Sequence, residues 1–289
     1  MVHLAMAARE QGRAADALLE LDALVGIVET RAREARATRQ DMMLLAVARV
    51  AVGVALGDLL PEAHLGLAAL WAASGAELLS RLEGEPSRLA HALRMQGNEL
   101  RKAGRLEEAV TTLQRARVMS PDLKGKATTS LLLARAASET GDVALLTQSV
   151  EHCRQALEQE PDIASFFLNP FSLREVELRG LLLTSSGKAA ERVATRAPSF
   201  SSPPPAWTVM ERVTMAHFHL VTDDKETAAA NLRGAIHDAR SLHLPHQIER
   251  AVRLARTARL DDLVDTGTEV LRTMPTLPSR TKAGPHQPR

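Results

Sequence analysis

The sequence contains no tyrosine, and aromatic residues make up only 2% of its 289 positions. Runs of β-branched residues are few as well. Sandwiches and barrels draw on both residue types, so the core here must be built from Ala, Leu and Val, which suits close packing of helices. The single cysteine, Cys153, excludes an internal disulfide framework and fits a reducing interior. Net charge is +1, so no global field draws the chain to nucleic acid or to an anionic membrane. Lysine is scarce, 6 against 30 arginines, which reads as the coding bias of a GC-rich genome before it reads as function. The opening MVHLAMAAREQG lacks a basic region followed by an apolar core, so no signal peptide is expected. The most apolar stretch, Met42 to Gly57, carries Arg49 and falls short of the roughly 20 residues that span a bilayer. It is expected to be a buried core helix of a cytoplasmic protein.

What is present is a helical hairpin, clearest in Ala90 to Pro121, ALRMQGNELRKAGRLEEAVTTLQRARVMSP. Small or breaking residues (Gly97, Gly104, Ala109, Ala116 and Pro121) stand where two antiparallel helices touch, turn or end. That spacing resembles the tetratricopeptide repeat, a unit of about 34 residues. The resemblance implies an all-α fold, a superhelix of stacked hairpins in which no repeat can bury its apolar face alone.

Hairpin signals recur along the chain. Helices are expected over Met1 to Glu10, Arg13 to about Arg36, Asp41 to Leu56 (turned by Gly57-Asp58), and from Pro61 to about Leu82, where Gly84-Glu85-Pro86 stops the helix. Further helices follow over Lys126 to Glu139 and Val143 to Glu160, turned at Thr140-Gly141-Asp142. Phe171 to Leu183, turned at Ser185-Ser186-Gly187, opens another hairpin. Gly104 to Gly141 is a step of 37 residues, so the repeat is loose. Residues 1–197 read as tetratricopeptide-like repeats and 198–206 as a Pro/Ser-rich linker, because consecutive prolines hold an extended chain. Residues 207–274 read as a last repeat (Trp207 to Leu220, Glu226 to Ser241) and a two-helix cap, and 275–289 as a disordered tail. Aligning Gly12 with the turn glycine places the start of the first hairpin before Met1. An irregular terminal unit and a piece of a longer protein are both open.

In stacked hairpins the first helix of each pair lines the concave face. With Gly97 and Gly104 setting register, His91, Arg94, Asn98, Arg101 and Lys102 point into that groove, and Arg135 and Arg174 extend a basic track. Tetratricopeptide proteins often place a basic residue and an Asn four positions later to hold a peptide carboxylate or backbone, and Arg94 and Asn98 match that spacing. Arg offers a planar fork to a carboxylate, and Asn can both donate to and accept from an extended backbone. The expected ligand is a protein or peptide, and a homodimer is a further expected partner.

Other candidates are weaker. Arg250, Arg253, Arg256 and Arg259 recur at every third position, and a solvated back face is the expected account, since no aromatic interleaves to stack bases. His217 and His219 fall on different faces of a helix, and His243 and His246 have no carboxylate or cysteine at ligand spacing, so no metal is expected. His152 beside Cys153 does not make a nucleophile–base pair. Acidic residues read as belonging to turns and exposed stripes. No phosphate-cradling glycine loop or nucleophile elbow occurs, so neither an enzyme nor a cofactor is expected.

Four segments together resemble something narrower: HALRMQGNELRKAGRLEEAV, FSLREVELRG from Phe171, WTVMERV from Trp207 and LPHQIERAVR from Leu244. They are similar to the C-terminal sensor half of bacterial Xre-type transcriptional regulators, over about residues 1–272. That resemblance implies a peptide effector and a helix-turn-helix domain ahead of the repeats. Nothing ahead of Gly12 is long enough for one, so DNA is expected as a partner only through a separate or missing domain. A free-standing adaptor acting through protein–protein contact is the alternative.

Overall fold

The computed structural model describes residues 1–82, 84–184, 187–196, 203–275 and 284–285. The described residues are predominantly helical, with no strand among them, so the chain is all-α. The α-helices are α1 (Val2–Glu10), α2 (Ala14–Arg33), α3 (Arg39–Leu59), α4 (Leu65–Arg81), α5 (Pro86–Lys102), α6 (Leu106–Met119) and α7 (Leu123–Thr140). After them come α8 (Val143–Gln159), α9 (Pro170–Leu183), α10 (Gly187–Ala194), α11 (Pro205–Val221), α12 (Lys225–Ser241), α13 (Pro245–Thr257) and α14 (Asp261–Thr273). They form two compact units, residues 1–129 and 130–275, with α7 divided between them.

Several helices start where a short polar side chain closes the first turn. Thr38 accepts from the Asp41 amide while Asp41 accepts from Thr38, and these bonds hold the Asp41 carboxyl below its usual range. Asn169 and Ser172 make the same reciprocal pair ahead of α9, and Asp142 and Asp224 cap α8 and α12.

In the first unit α1, α3 and α5 form a row, α1 on α3 and α3 on α5, while α2 packs between α1 and α3, and α4 between α3 and α5. The row is held close by small residues. Gly53 of α3 approaches the Ala68 carbonyl and Ala72 amide of α4, and Gly75 of α4 approaches the Ala46 carbonyl of α3. In the second unit α9 packs on α11 and α11 on α13, with α12 on α11 and α14 on α13. The core of α11 to α14 includes Val213, Leu232, Ile236, Ile248 and Leu263.

A repeated register runs through both units. Gly12, Gly104, Gly141 and Asp223 take positive φ between paired helices, at 85°, 76°, 77° and 61°. Five residues after each stand Ala17, Ala109, Leu146 and Ala228; nine after, Leu21, Leu113, Val150 and Leu232; twelve after, Leu24, Ala116, Cys153 and Ala235. All twelve are buried. Seven residues before each turn stand Ala5, Gly97, Ala134 and Ala216, buried as well. Asp223 shows that the turn asks for a left-handed conformation rather than for glycine as such, at a cost that glycine avoids.

Three sequence expectations need correction. Gly57-Asp58 is no turn: α3 continues to Leu59, Leu60 is extended, and Pro61 ends the element. Gly57 has no Cβ because the ends of the Glu99 and Lys102 side chains occupy that space. The apolar helix is therefore 21 residues, long and apolar enough to cross a membrane by length and composition alone, yet 78% of its most apolar window is buried among its neighbours in the first unit. The linker expected over 198–206 ends earlier, because Pro205 and Ala206 open α11, where proline fits a helix's first turn. Residues 198–202, Ser185-Ser186 and most of 275–289 lie outside the described residues.

Candidate functional site

The five candidate residues on α5 separate into two clusters. Toward its middle, His91 and Arg94 meet: an Arg94 guanidinium nitrogen (Nη2) lies 2.8 Å from His91 Nδ1, and Nη1 donates to the Gly125 carbonyl at 3.4 Å. Arg94 Nε is buried without a hydrogen-bond partner. Burial pushes Arg94 down to about 10, against the pull of Asp122. His91 keeps an exposed face, yet dense protein around its ring, then the charges of Arg94 and His3, push it down to about 4. His91 is therefore neutral at physiological pH and can accept from Arg94.

Toward the C-terminal end of α5 stand Asn98, Glu99, Arg101 and Lys102. Asn98 is 3% exposed, its amide donating to Glu99 (3.1 Å) and its oxygen accepting from Arg101 (3.4 Å). Lys102 reaches the Gly57 carbonyl at 3.1 Å, Glu99 at 3.2 Å and Asp58 at 3.5 Å, and Arg9 of α1 pairs with Asp58 at 2.7 Å. These residues tie α1, α3 and α5 together at one end. The polar groups of Asn98 and Lys102 are engaged inside the first unit, so the Arg94–Asn98 spacing does not produce two side chains free to hold a peptide.

Arg135 and Arg174 lie in the second unit, both buried. Arg135 stacks over Trp207, its Cζ 5.2 Å from the ring centroid, and reaches Met210 Sδ. Arg174 donates to the carbonyls of Val193 (3.2 Å) and Ala194 (2.8 Å) and pairs with Glu211. Both side chains serve packing there instead of continuing a basic track.

Two residues central to these rows escaped the sequence reading. Glu99 and Glu175 are fully buried, against the expectation that acids occupy turns and exposed stripes. Burial raises the Glu99 carboxyl above its usual range, with Lys102 pulling it back. Glu175 accepts from Thr214 at 2.7 Å, and Thr214 accepts from Arg250 at 2.8 Å, which links α9, α11 and α13. The available signal was periodicity: Glu99 continues the buried stripe Ala92, Met95, and Glu175 stands in the stripe Phe171, Leu178, Leu182.

The expected back-face arginine stripe is only partly such a face. Arg253, Arg256 and Arg259 are exposed, but Arg250 turns inward to Thr214, and Arg259 lies beyond α13 in a turn at φ 57°. Cys153 is buried, its thiol pushed up to about 12 by burial. Among the described residues no group of three or more His, Cys, Asp or Glu is placed to hold a metal. A scan against protein-family models and searches of curated proteins and of solved structures each find no match to this chain.

Proposed function

We propose that the chain is a non-enzymatic protein- or peptide-binding module built as a tetratricopeptide-like superhelix, serving as the effector-sensing part of a transcriptional regulator. The repeated turn register and the rows α1–α3–α5 and α9–α11–α13 support the architecture. The observation that carries the binding reading is the state of His91 and Arg94. An exposed imidazole lies 2.8 Å from a partly buried arginine whose Nε has no hydrogen-bond partner. A cationic, incompletely satisfied guanidinium beside an exposed imidazole suits a peptide carrying carboxylate groups. The regulatory role rests on the resemblance of the four sequence segments to Xre-type sensor halves.

The binding reading is tested with an array of acidic and neutral peptides probed by the full chain. Selected acidic peptides should lose at least tenfold in affinity with His91→Ala/Arg94→Ala, while far-UV circular dichroism and Tm stay near those of the unmodified chain. Equal affinity of the double variant would remove this site. Transcript profiling of a deletion strain complemented with the double variant tests regulation. A profile matching the deletion supports it, and a fully restored profile counts against it.

A further inference from the structure

The second unit holds a cleft of about 440 Å³ between the C-terminal ends of α12 and α14. Its polar side comes from the Arg240 guanidinium and the His237 imidazole in the last turns of α12 and from the His243 imidazole just beyond; its apolar side comes from Val270, Met274 and Pro275. Among the described residues no carboxylate lines it. The neighbouring Asp238 is paired with Arg212 at 3.3 Å, and among the described residues no carboxylate pairs with Arg240. The hydroxyls at the rim are already used: Ser241 donates to the His237 carbonyl and Thr273 to that of Glu269. Arg240 and the two imidazoles are therefore the donors left for a ligand.

A helix C-terminus attracts cations through its dipole, and that accounts for His237 and Arg240 as surface residues. It does not account for His243. This residue lies outside α12 in the left-handed region, at φ 54°, where Gly12, Gly104 and Gly141 stand in comparable turns. The His243 amide donates to the Arg240 carbonyl and that of Leu244 to Ala239, so the carbonyls at this end of α12 are partly satisfied by the turn itself. Ala35, Asp223 and Arg259 take the same left-handed conformation in their own turns, so the turn itself asks for it; what sets His243 apart is that it places an imidazole at the cleft. Nor does a dipole explain the apolar surface brought by the other helix.

We infer that this cleft binds a phosphate monoester bearing an apolar group, its phosphate on Arg240, His237 and His243 and its apolar part on Val270, Met274 and Pro275. The volume falls in the range of small-molecule sites, and those sites pair an apolar lining with a few convergent polar groups. A phosphate at pH 7 carries about −1.5 to −2 charges and three acceptor oxygens, which one arginine fork and two imidazoles can serve together. A carboxylate has two oxygens and a single charge, and so uses this set less fully.

The test is calorimetric titration of the full chain with n-octyl phosphate below its micelle concentration, alongside octanoate and octanol. Octyl phosphate should bind saturably at one site, at least tenfold more tightly than octanoate, and octanol should give no saturable signal. Arg240→Gln should weaken octyl phosphate at least tenfold without changing Tm. His243→Gly, whose backbone suits the turn, should weaken it severalfold while Tm holds or rises. No saturable binding, equal binding of octanol, or unchanged binding by both variants would overturn the inference.

Discussion

Gly53 of α3 turns a bare Cα toward Ala72 of α4: a Cβ at Gly53 would stand 2.7 Å from the Ala72 amide nitrogen and 2.7 Å from the Ala68 carbonyl oxygen. Neither backbone atom can step aside without moving its helix, so this pair sets how closely α3 and α4 approach. Gly66, also on α4, meets nothing within 4 Å. Alanine is favoured over glycine inside a helix by about 1 kcal/mol. Gly53→Ala should therefore lose more than it gains, a net loss of about 1–3 kcal/mol, whereas Gly66→Ala should be neutral or stabilise by up to about 1 kcal/mol. Urea melts of the two variants check the contrast. Equal effects would mean that close approach does not govern the α3–α4 pair.

Glu99 and His91 lie on one helix and respond to pH with opposite signs. The folded-state value of Glu99 is raised, so between the unfolded value and this raised one the native chain binds more protons than the unfolded chain. Its contribution to stability therefore improves as pH falls through the raised value. His91 is pushed down to about 4 from 6.5, so the unfolded chain binds more protons between those values and stability falls as pH drops through that window. Melts of Glu99→Gln and His91→Gln at pH 7, 5.5 and 4.5 separate the two. Relative to the parent chain, Glu99→Gln should lose ground as pH falls and His91→Gln should gain it.

Arg174 holds α10 against α9 and α11 through two carbonyls and a carboxylate. Arg174→Ala removes three charge-assisted contacts and leaves Glu211 without this cation, which should cost about 3 kcal/mol. Arg174→Lys keeps the charge but loses the fork, so an intermediate loss is expected. Hydrogen exchange should show lost protection concentrated in 187–194. A loss spread evenly over the second unit would argue against this local role.

Cys153 occupies the position that Ala116 and Ala235 fill in their own hairpins, and it is fully buried. With its thiol at about 12, almost no thiolate exists at pH 8. The folded chain should not react with a thiol-specific disulfide reagent on a scale of minutes, and one equivalent should react in 6 M guanidinium. Cys153→Ala should cost no more than about 1.5 kcal/mol, because alanine is tolerated at the equivalent positions.

Composition and 3.6-residue periodicity were enough to specify helices, because each apolar stripe is written in local sequence and several turns carry a glycine that takes positive φ, as Gly12, Gly104 and Gly141 do. The hairpin at α5 and α6 and the two closing helices α13 and α14 could be read this way. Gly57 is ambiguous in sequence because glycine signals two things, a turn or a close approach, and only the neighbours choose between them. The candidate groove was less legible still. The Arg94–Asn98 spacing is local, but whether Asn98 is free depends on Glu99 and Arg101, and the hold on Lys102 comes from Asp58, 44 residues away in sequence. The buried carboxylates Glu99 and Glu175 looked like ordinary surface acids because their burial is imposed by helices distant in sequence. Local propensity and pattern thus determined the elements, while burial, ion pairing and desolvation, which depend on which helices meet, were decided only by the tertiary structure.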